Sequence, residues 1–488
     1  LEQQLDTPRP GLRTRLSRWF GTRSDADEPS PKELASYSVG GVGMRWSEEG
    51  IKQFSNQIWV LNLGLNPATL GIIAAVKTVW DGINDTLFGY VTDNTKTRWG
   101  RRRPYILVGG VLYGLLLIAY WWFNPQWPLA NLLIWYTVFL FLIEGAQTIF
   151  GIPYYALGIE MSPSYHGKTR VIFWREYLSR IGHFATPWFK AFALMGAFGG
   201  IVYGARAVCA VLGVVVICTS VFSAVVCRER KRVASNKKRE PFFRAIRQTA
   251  SSGLFWRILA IYIIMLTKGP IFDQFGNYIA VGYVFQGNQK LEAFYAGWNG
   301  MTAAVMGLVG LPVTAWISRR IGKHRTLAIM VCCLIVGTLL KLVLMDPQRP
   351  WLILFTPFPY VFGIVGLYTI LGAMQADLVE VDELRTGVRR EGMFGAVQSI
   401  VMKASSSLSI AVAGFVVIAT GFNPETRMNQ TPETYKNMMF VAYVLPNLLL
   451  ALVLLLLWRY PLTEARMADV RDQLKARQAA SQPTNPTG

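Results

Sequence analysis

The chain has 488 residues, of which 52% are hydrophobic and 16% charged, with 49 Lys and Arg against 29 Asp and Glu and a formal net charge of +20. Soluble domains carry about 25% charged residues, so an ordinary soluble globular protein is excluded. The positive balance alone would suit a nucleic-acid binder. Here, however, Lys and Arg gather in loops between long apolar runs, so no nucleic-acid partner is expected and the charge is read as membrane orientation.

Residues 1–36 are polar and basic, with Arg9, Arg13, Arg15, Arg18 and Arg23. They lack the apolar core of a signal peptide and read as a cytoplasmic tail, with a short interfacial helix around 12–20. The first span, over 37–65, is interrupted by Arg45, Glu48, Glu49 and Lys52. A helix this polar must face a wet cavity or a partner rather than lipid. Further apolar runs follow at about 69–91, 104–123, 130–158, 171–196, 201–227, 254–285, 292–317, 325–345, 351–376, 393–421 and 437–458. Crossing a bilayer as a helix takes roughly 20 residues, so with the first span these make about twelve crossings.

The connections alternate between basic and neutral. By the positive-inside rule both termini are cytoplasmic, and the chain is a multi-pass protein of the cell membrane. The basic connection 228–253, with its RERKRVASNKKRE run, separates an N-terminal half (37–227) from a C-terminal half (254–459) and the tail 460–488. The five cysteines, Cys209, Cys218, Cys227, Cys332 and Cys333, lie in apolar runs without metal spacing and read as structural thiols.

The second run holds the most costly residues. Asp81 and Asp85 lie one helical turn apart with Asn84 on the same face. A carboxylate at the bilayer centre costs at least ~2.5–3.5 kcal/mol, so something must compensate. A bound cation would do so; so would an ion pair with Lys77, one turn before Asp81. The run ends in a basic turn, Arg98-Trp99-Gly100-Arg101-Arg102-Arg103. A similar turn, Arg320-Ile321-Gly322-Lys323-His324-Arg325, follows the eighth run. Equivalent turns in two six-span halves point to a parallel repeat, the architecture of major facilitator transporters, whose substrate site lies between halves. The expected fold is therefore an all-α polytopic membrane protein of the major facilitator type, with twelve transmembrane helices.

The segment WDGIND (80–85) followed by GYVTDNTKTRWGRRRP, together with ADLVEVDELRTGVRREGMF at 376–394, resembles the glycoside–pentoside–hexuronide:cation symporter family, the melibiose-permease-like carriers. Gly151-Ile152-Pro153-Tyr154-Tyr155 and the stretch Val397 to Lys403 also fit, and the resemblance spans 37–458. It implies a cation site made of Asp81, Asn84, Asp85 and Thr148. If the coupling ion is sodium, Asp81 and Asp85 are its charged oxygen ligands; a proton is the other choice, and no further cofactor is implied. It places Lys403 beside that site, Gln398 and Ser399 at the cavity, Tyr155 at the sugar-stacking position and Arg175 at a cavity arginine.

The departures are informative. Arg45 and Gly151 stand where the family's sugar-binding carboxylates fall, and Thr78 replaces an arginine. Glu144 matches no family role; it could pair with Lys77 or Arg45, or titrate. The inner loops carry Asp93, Arg98, Arg101, Asp377, Glu383, Arg389 and Glu391. Opposite charges on facing loops can lock and release the inner face.

The expected function is monomeric, cation-coupled symport of a sugar by alternating access. A guanidinium fork at Arg45, with Arg175 nearby, suits an anionic sugar such as a uronide. If Glu48 or Glu49, one turn on, neutralises Arg45, a neutral oligosaccharide fits instead. A lysolipid or drug carrier on the same scaffold is the third possibility. No HExxH, DxxD or Walker pattern occurs, so an enzyme is not expected.

Overall fold

The computed structural model describes residues 28–162, 164–229, 253–387, 391–427, 429–458, 460–462 and 464–481. The expected interfacial helix at 12–20 and nearly all of the basic connection 228–253 lie outside them. Every regular element among the described residues is helical. The long helices are α1 (Pro31–Ser55), α2 (Pro67–Asn94), α3 (Arg103–Tyr120), α4 (Leu129–Glu160), α5 (Tyr165–His183), α6 (Ile201–Val226), α7 (Gly253–Tyr278), α8 (Gln289–Ile321), α9 (Lys323–Leu344), α10 (Pro357–Thr386) and α11 (Glu391–Ala419). They are followed by α12, in two pieces (Pro432–Tyr443 and Leu445–Leu457), and by a last helix, α13 (Glu464–Ser481).

The helices α1 to α12 stand at the twelve runs read from the sequence. Eight of them, α3, α4, α6 and α8 to α12, are long and apolar enough to cross a membrane. The other four, α1, α2, α5 and α7, carry ionisable residues along their length and so need a polar environment on one face.

Local chemistry sets the helix ends. Ser164, Asn288 and Thr431 cap α5, α8 and α12, each accepting a backbone N–H from the first turn. The run expected as one span over 171–196 is not one helix. α5 stops at His183, and the chain continues as a 3-10 turn (Thr186–Trp188) and a one-turn helix (Phe189–Ala193). Pro187 has no N–H to carry the ladder on, and the Thr186 hydroxyl donates back to the His183 carbonyl at 2.9 Å. Pro446 breaks α12 in the same way. Both α1 and α7 run on into π-helical turns, at Asn56–Asn62 and Ile279–Val284. The feature recurs in the first helix of each half, as a structural repeat requires.

The described residues divide into two compact units. Segments 28–54 and 80–229 form the first; 55–79 and 253–481 form the second. The second therefore takes in residues from the N-terminal half expected from sequence. The reason is packing of the first half of α2 on α11. A Cβ on Gly414 would lie 2.4 Å from the Pro67 carbonyl oxygen, so only glycine allows the approach, and the Ser407 hydroxyl donates to the Ala75 carbonyl at 2.7 Å.

In the first unit α3 lies against α4 and α6. Gly109 rests on the α4 backbone, where a Cβ would come 2.6 Å from the Phe150 nitrogen. Small residues at such crossings let helices approach where lipid gives no hydrophobic drive. The second unit has an apolar core from α7, α9, α10, α12 and α13, including Leu259, Val331, Leu371, Val453 and Met467.

Candidate cation and substrate sites

Asp81, Asn84 and Asp85 stand at i, i+3 and i+4 in the part of α2 that belongs to the first unit. Asn84 is 3% exposed, and its amide nitrogen Nδ2 has no hydrogen-bond partner among the described residues. Asp81 and Asp85 are half-buried. Thr148 is 4% exposed on α4 of the same unit and makes no hydrogen bond among the described residues. The set offers two carboxylates, an amide and a hydroxyl. Oxygen donors of this kind suit a hard cation, and turning the Asn84 amide over presents its carbonyl. Among the described residues no three His, Cys, Asp or Glu side chains converge as a metal centre would need.

A second cluster in the first unit joins α1, α4 and α5. Tyr155 is 45% exposed, and the Arg175 guanidinium lies over its ring, 4.9 Å from the centroid. Arg175 also donates to the Tyr37 hydroxyl at 3.5 Å and pairs with Glu176 at 2.5 Å. Tyr37 in turn stacks on Tyr154 with centroids 4.6 Å apart.

Arg45 itself is exposed and makes no ion pair among the described residues. Neither Glu48 nor Glu49 forms an ion pair with it among the described residues. Glu48 accepts from Gln147 Nε2 of α4 at 2.7 Å. At Gly151, where the family has a carboxylate, an added Cβ would meet the Met44 methyl at 3.1 Å, so a thioether fills that side. Of the three substrate residues expected in this half, Tyr155 and Arg175 are in direct contact, and Arg45 stands on α1 of the same unit.

The three expected in the other half converge. In the second unit a cavity of about 330 Å³ is lined by Gln398, Ser399 and Lys403 of α11, with Met402, Ser406 and Thr78. That lies within the range of small-molecule sites, about 300–1,000 Å³. Ser406 was not singled out from sequence, although it lies on the same helix face, three residues after Lys403 and seven after Ser399. Gln147 was missed as well, and it had no comparable signal.

The loop charges pair inside each unit. Arg102 pairs with Asp93, and also with Glu160 at 3.3 Å; Arg101 pairs with Glu160 at 2.6 Å. The backbone N–H groups of Arg101, Arg102 and Arg103 donate to the Glu229 carboxylate at 2.8, 2.6 and 3.0 Å. In the second unit Lys323 pairs with Asp377 at 2.6 Å, and Arg471 of α13 reaches Asp377 at 3.1 Å and Glu380 at 2.8 Å. The two basic turns therefore do equivalent things: Gly100 and Gly322 take positive φ, and each turn's cations engage the end of α4 or α10. Of the remaining gate residues, Arg98 is exposed without a partner among the described residues and Glu383 is half-buried. Arg389 and the side chain of Glu391 lie outside the described residues.

Residues 36–464 match the family described as MFS/sugar transport protein. The chain is 24% identical over 417 residues to the uncharacterized symporter YnaJ of Bacillus subtilis, covering 85% of this chain and 88% of that one. It is 20% identical to the isoprimeverose transporter of Lactiplantibacillus pentosus, with 92% of each covered. It is also 20% identical to a glucuronide carrier protein homolog of Escherichia coli, covering 92% of this chain and 97% of that one. Among solved structures, a bacterial homolog of the human lysosomal transporter Spinster, in an inward-facing unoccupied conformation, superposes with a TM-score of 0.65 at 15% identity. It covers 92% of this chain and 98% of its own.

Proposed function

Because the chain belongs to the MFS/sugar transport family, we propose that it is a cation-coupled symporter whose sugar substrate carries a carboxylate, as a uronide does. It is a multi-pass membrane protein, and the positive-inside pattern puts both termini in the cytoplasm. Asp81, Asn84, Asp85 and Thr148 take the coupling ion, sodium or a proton. Tyr155 offers a ring face to the sugar, and Arg45 with Arg175 takes its carboxylate through charge-assisted hydrogen bonds. Within the second unit, Gln398, Ser399 and Lys403 line a polar cavity of small-molecule size. Coupling follows because cation and sugar each bind one conformer better than the other and shift the same equilibrium together.

The observation that carries the anionic reading is Arg45: an exposed guanidinium with no ion pair among the described residues, while Glu48, one turn on, accepts from Gln147 of α4. The likeness to a glucuronide carrier homolog supports the same reading. The likeness to an isoprimeverose transporter favours the alternative, a neutral glycoside. Competition for uptake into proteoliposomes separates them. An excess of a glucuronide is expected to suppress uptake of a labelled uronide, and an equal excess of the matching neutral glycoside is not. Suppression by the neutral glycoside alone would establish the alternative. Suppression only by a lysophospholipid would move the protein to a lipid carrier.

A further inference from the structure

The two basic turns repeat one motif but use their cations differently. In the first, Arg101 and Arg102 pair with Glu160 and Asp93. Arg103 donates to the carbonyls of Ala224 and Val225 at 2.6 and 2.8 Å. In the second, Lys323 is engaged in the same way, on Asp377, but the arginines are not. Arg319 and Arg320 end α8 and Arg325 opens α9. All three are exposed and make no ion pair among the described residues. No Asp or Glu occurs in the sequence between Glu292 and Asp346, and the nearby carboxylates of Asp377 and Glu380 face Lys323 and Arg471. Like charges gathered on one short turn repel one another and draw an anion from outside.

The surroundings of these cations are apolar. Arg320 lies over the ring of Trp316, one turn back on α8, 5.6 Å from its centroid, and Trp316 is 61% exposed. Exposed Val309 and Val313 continue this face of α8. On α9, Ile329 and Val336 stand at i+4 and i+11 from Arg325 and are exposed too. The two helices are joined at Gly322. Two exposed apolar stripes therefore end at one turn, each tipped by a guanidinium. The positive-inside pattern puts that turn at the cytoplasmic surface, where a Trp ring suits the headgroup level.

We propose that the α8–α9 turn holds an anionic phospholipid of the inner leaflet. Arg319, Arg320 and Arg325 take its phosphate through charge-assisted hydrogen bonds, Trp316 backs the headgroup, and the acyl chains lie along the α8 and α9 stripes. Basic clusters on the cytoplasmic side of membrane helices bind anionic headgroups by this chemistry. The lipid supplies from outside the counter-charge that Glu160 and Asp93 supply within the first unit. The inference goes beyond the proposed function and depends on neither the sugar nor the coupling ion.

The test is native mass spectrometry of the purified full chain in detergent, titrated with phosphatidylglycerol or with phosphatidylcholine of the same acyl chains. The wild type is expected to retain one phosphatidylglycerol about tenfold more tightly than phosphatidylcholine. Arg319→Gln/Arg320→Gln/Arg325→Gln is expected to lose that preference. Arg98→Gln, which removes an exposed cation from the first turn, is expected to keep it. Should the triple variant not fold, Arg320→Gln alone decides, with an expected drop in preference of about threefold. Excess glycerol phosphate is expected to leave the lipid bound, because it lacks the chains that lie on the stripes. Equal retention of the two lipids by the wild type, an unchanged preference in the triple or single variant, or an equal loss in Arg98→Gln would reduce the turn to a general basic surface and overturn the site. Displacement by glycerol phosphate would overturn the lipid assignment. None of these outcomes bears on the symporter reading.

Discussion

Asp85→Asn is expected to abolish concentrative uptake while leaving exchange of substrate across the membrane in place. Asp85 shares one face of α2 with Asp81 and the buried Asn84. Removing its charge removes the ligand that makes the loaded cation favourable at that depth. Exchange survives because it needs only the loaded carrier to reorient, whereas accumulation needs the ion gradient to bias the cycle. The effect is large. A 100 mV potential adds ~2.3 kcal/mol per charge moved, so losing one coupled charge costs about 50-fold in accumulation ratio. Asp81→Asn is expected to act differently, because Lys77 stands one turn before it; there the ion preference shifts. Accumulation by the Asp85 variant at the wild-type ratio would remove the α2 set from the coupling mechanism.

The second large effect is at Arg45. Hydrogen bonds to charged groups are worth about 1.5–3 kcal/mol, so Arg45→Ala is expected to weaken uptake of a uronide by roughly 10- to 100-fold. Uptake of a neutral glycoside should change little. Arg45→Lys should recover only part of the loss, because an ammonium cannot reproduce the planar fork. Saturation curves for uronide uptake by the three proteins decide the point. Equal affinity in wild type and Arg45→Ala would mean that the guanidinium does not touch the substrate.

The features legible in the sequence were those written in local spacing. The helices follow the apolar runs, and even α1, broken by four ionisable residues, was readable from its length and the resemblance around it. The paired Gly100 and Gly322 turns were visible as a repeated motif, and both take the positive φ that glycine permits. What spacing could not show was partner choice over long separations. Arg45 has glutamates at i+3 and i+4, so its local sequence leaves neutralisation open, and spacing does not show that Glu48 accepts from Gln147, 99 residues away. The loop charges read as facing one another across the repeat. Within the first unit Arg102 reaches Glu160, 58 residues on, and within the second Asp377 is shared by Lys323 and Arg471 of a tail helix that hydropathy leaves unmarked. The breaks after His183 and at Val444 fall inside apolar runs, and there Pro187 and Pro446 were the available signals.

Ion-driven uptake measures the central claim most directly. The protein is reconstituted into proteoliposomes, and uptake of a labelled glycoside or uronide is followed under an inward sodium gradient, an inward proton gradient, or neither. Symport predicts accumulation above equilibrium under one of the two ion gradients, its collapse on adding the matching ionophore, and entry only to equilibrium without a gradient. Uptake that is saturable but indifferent to both gradients and to the ionophores would contradict cation-coupled symport and leave a uniporter.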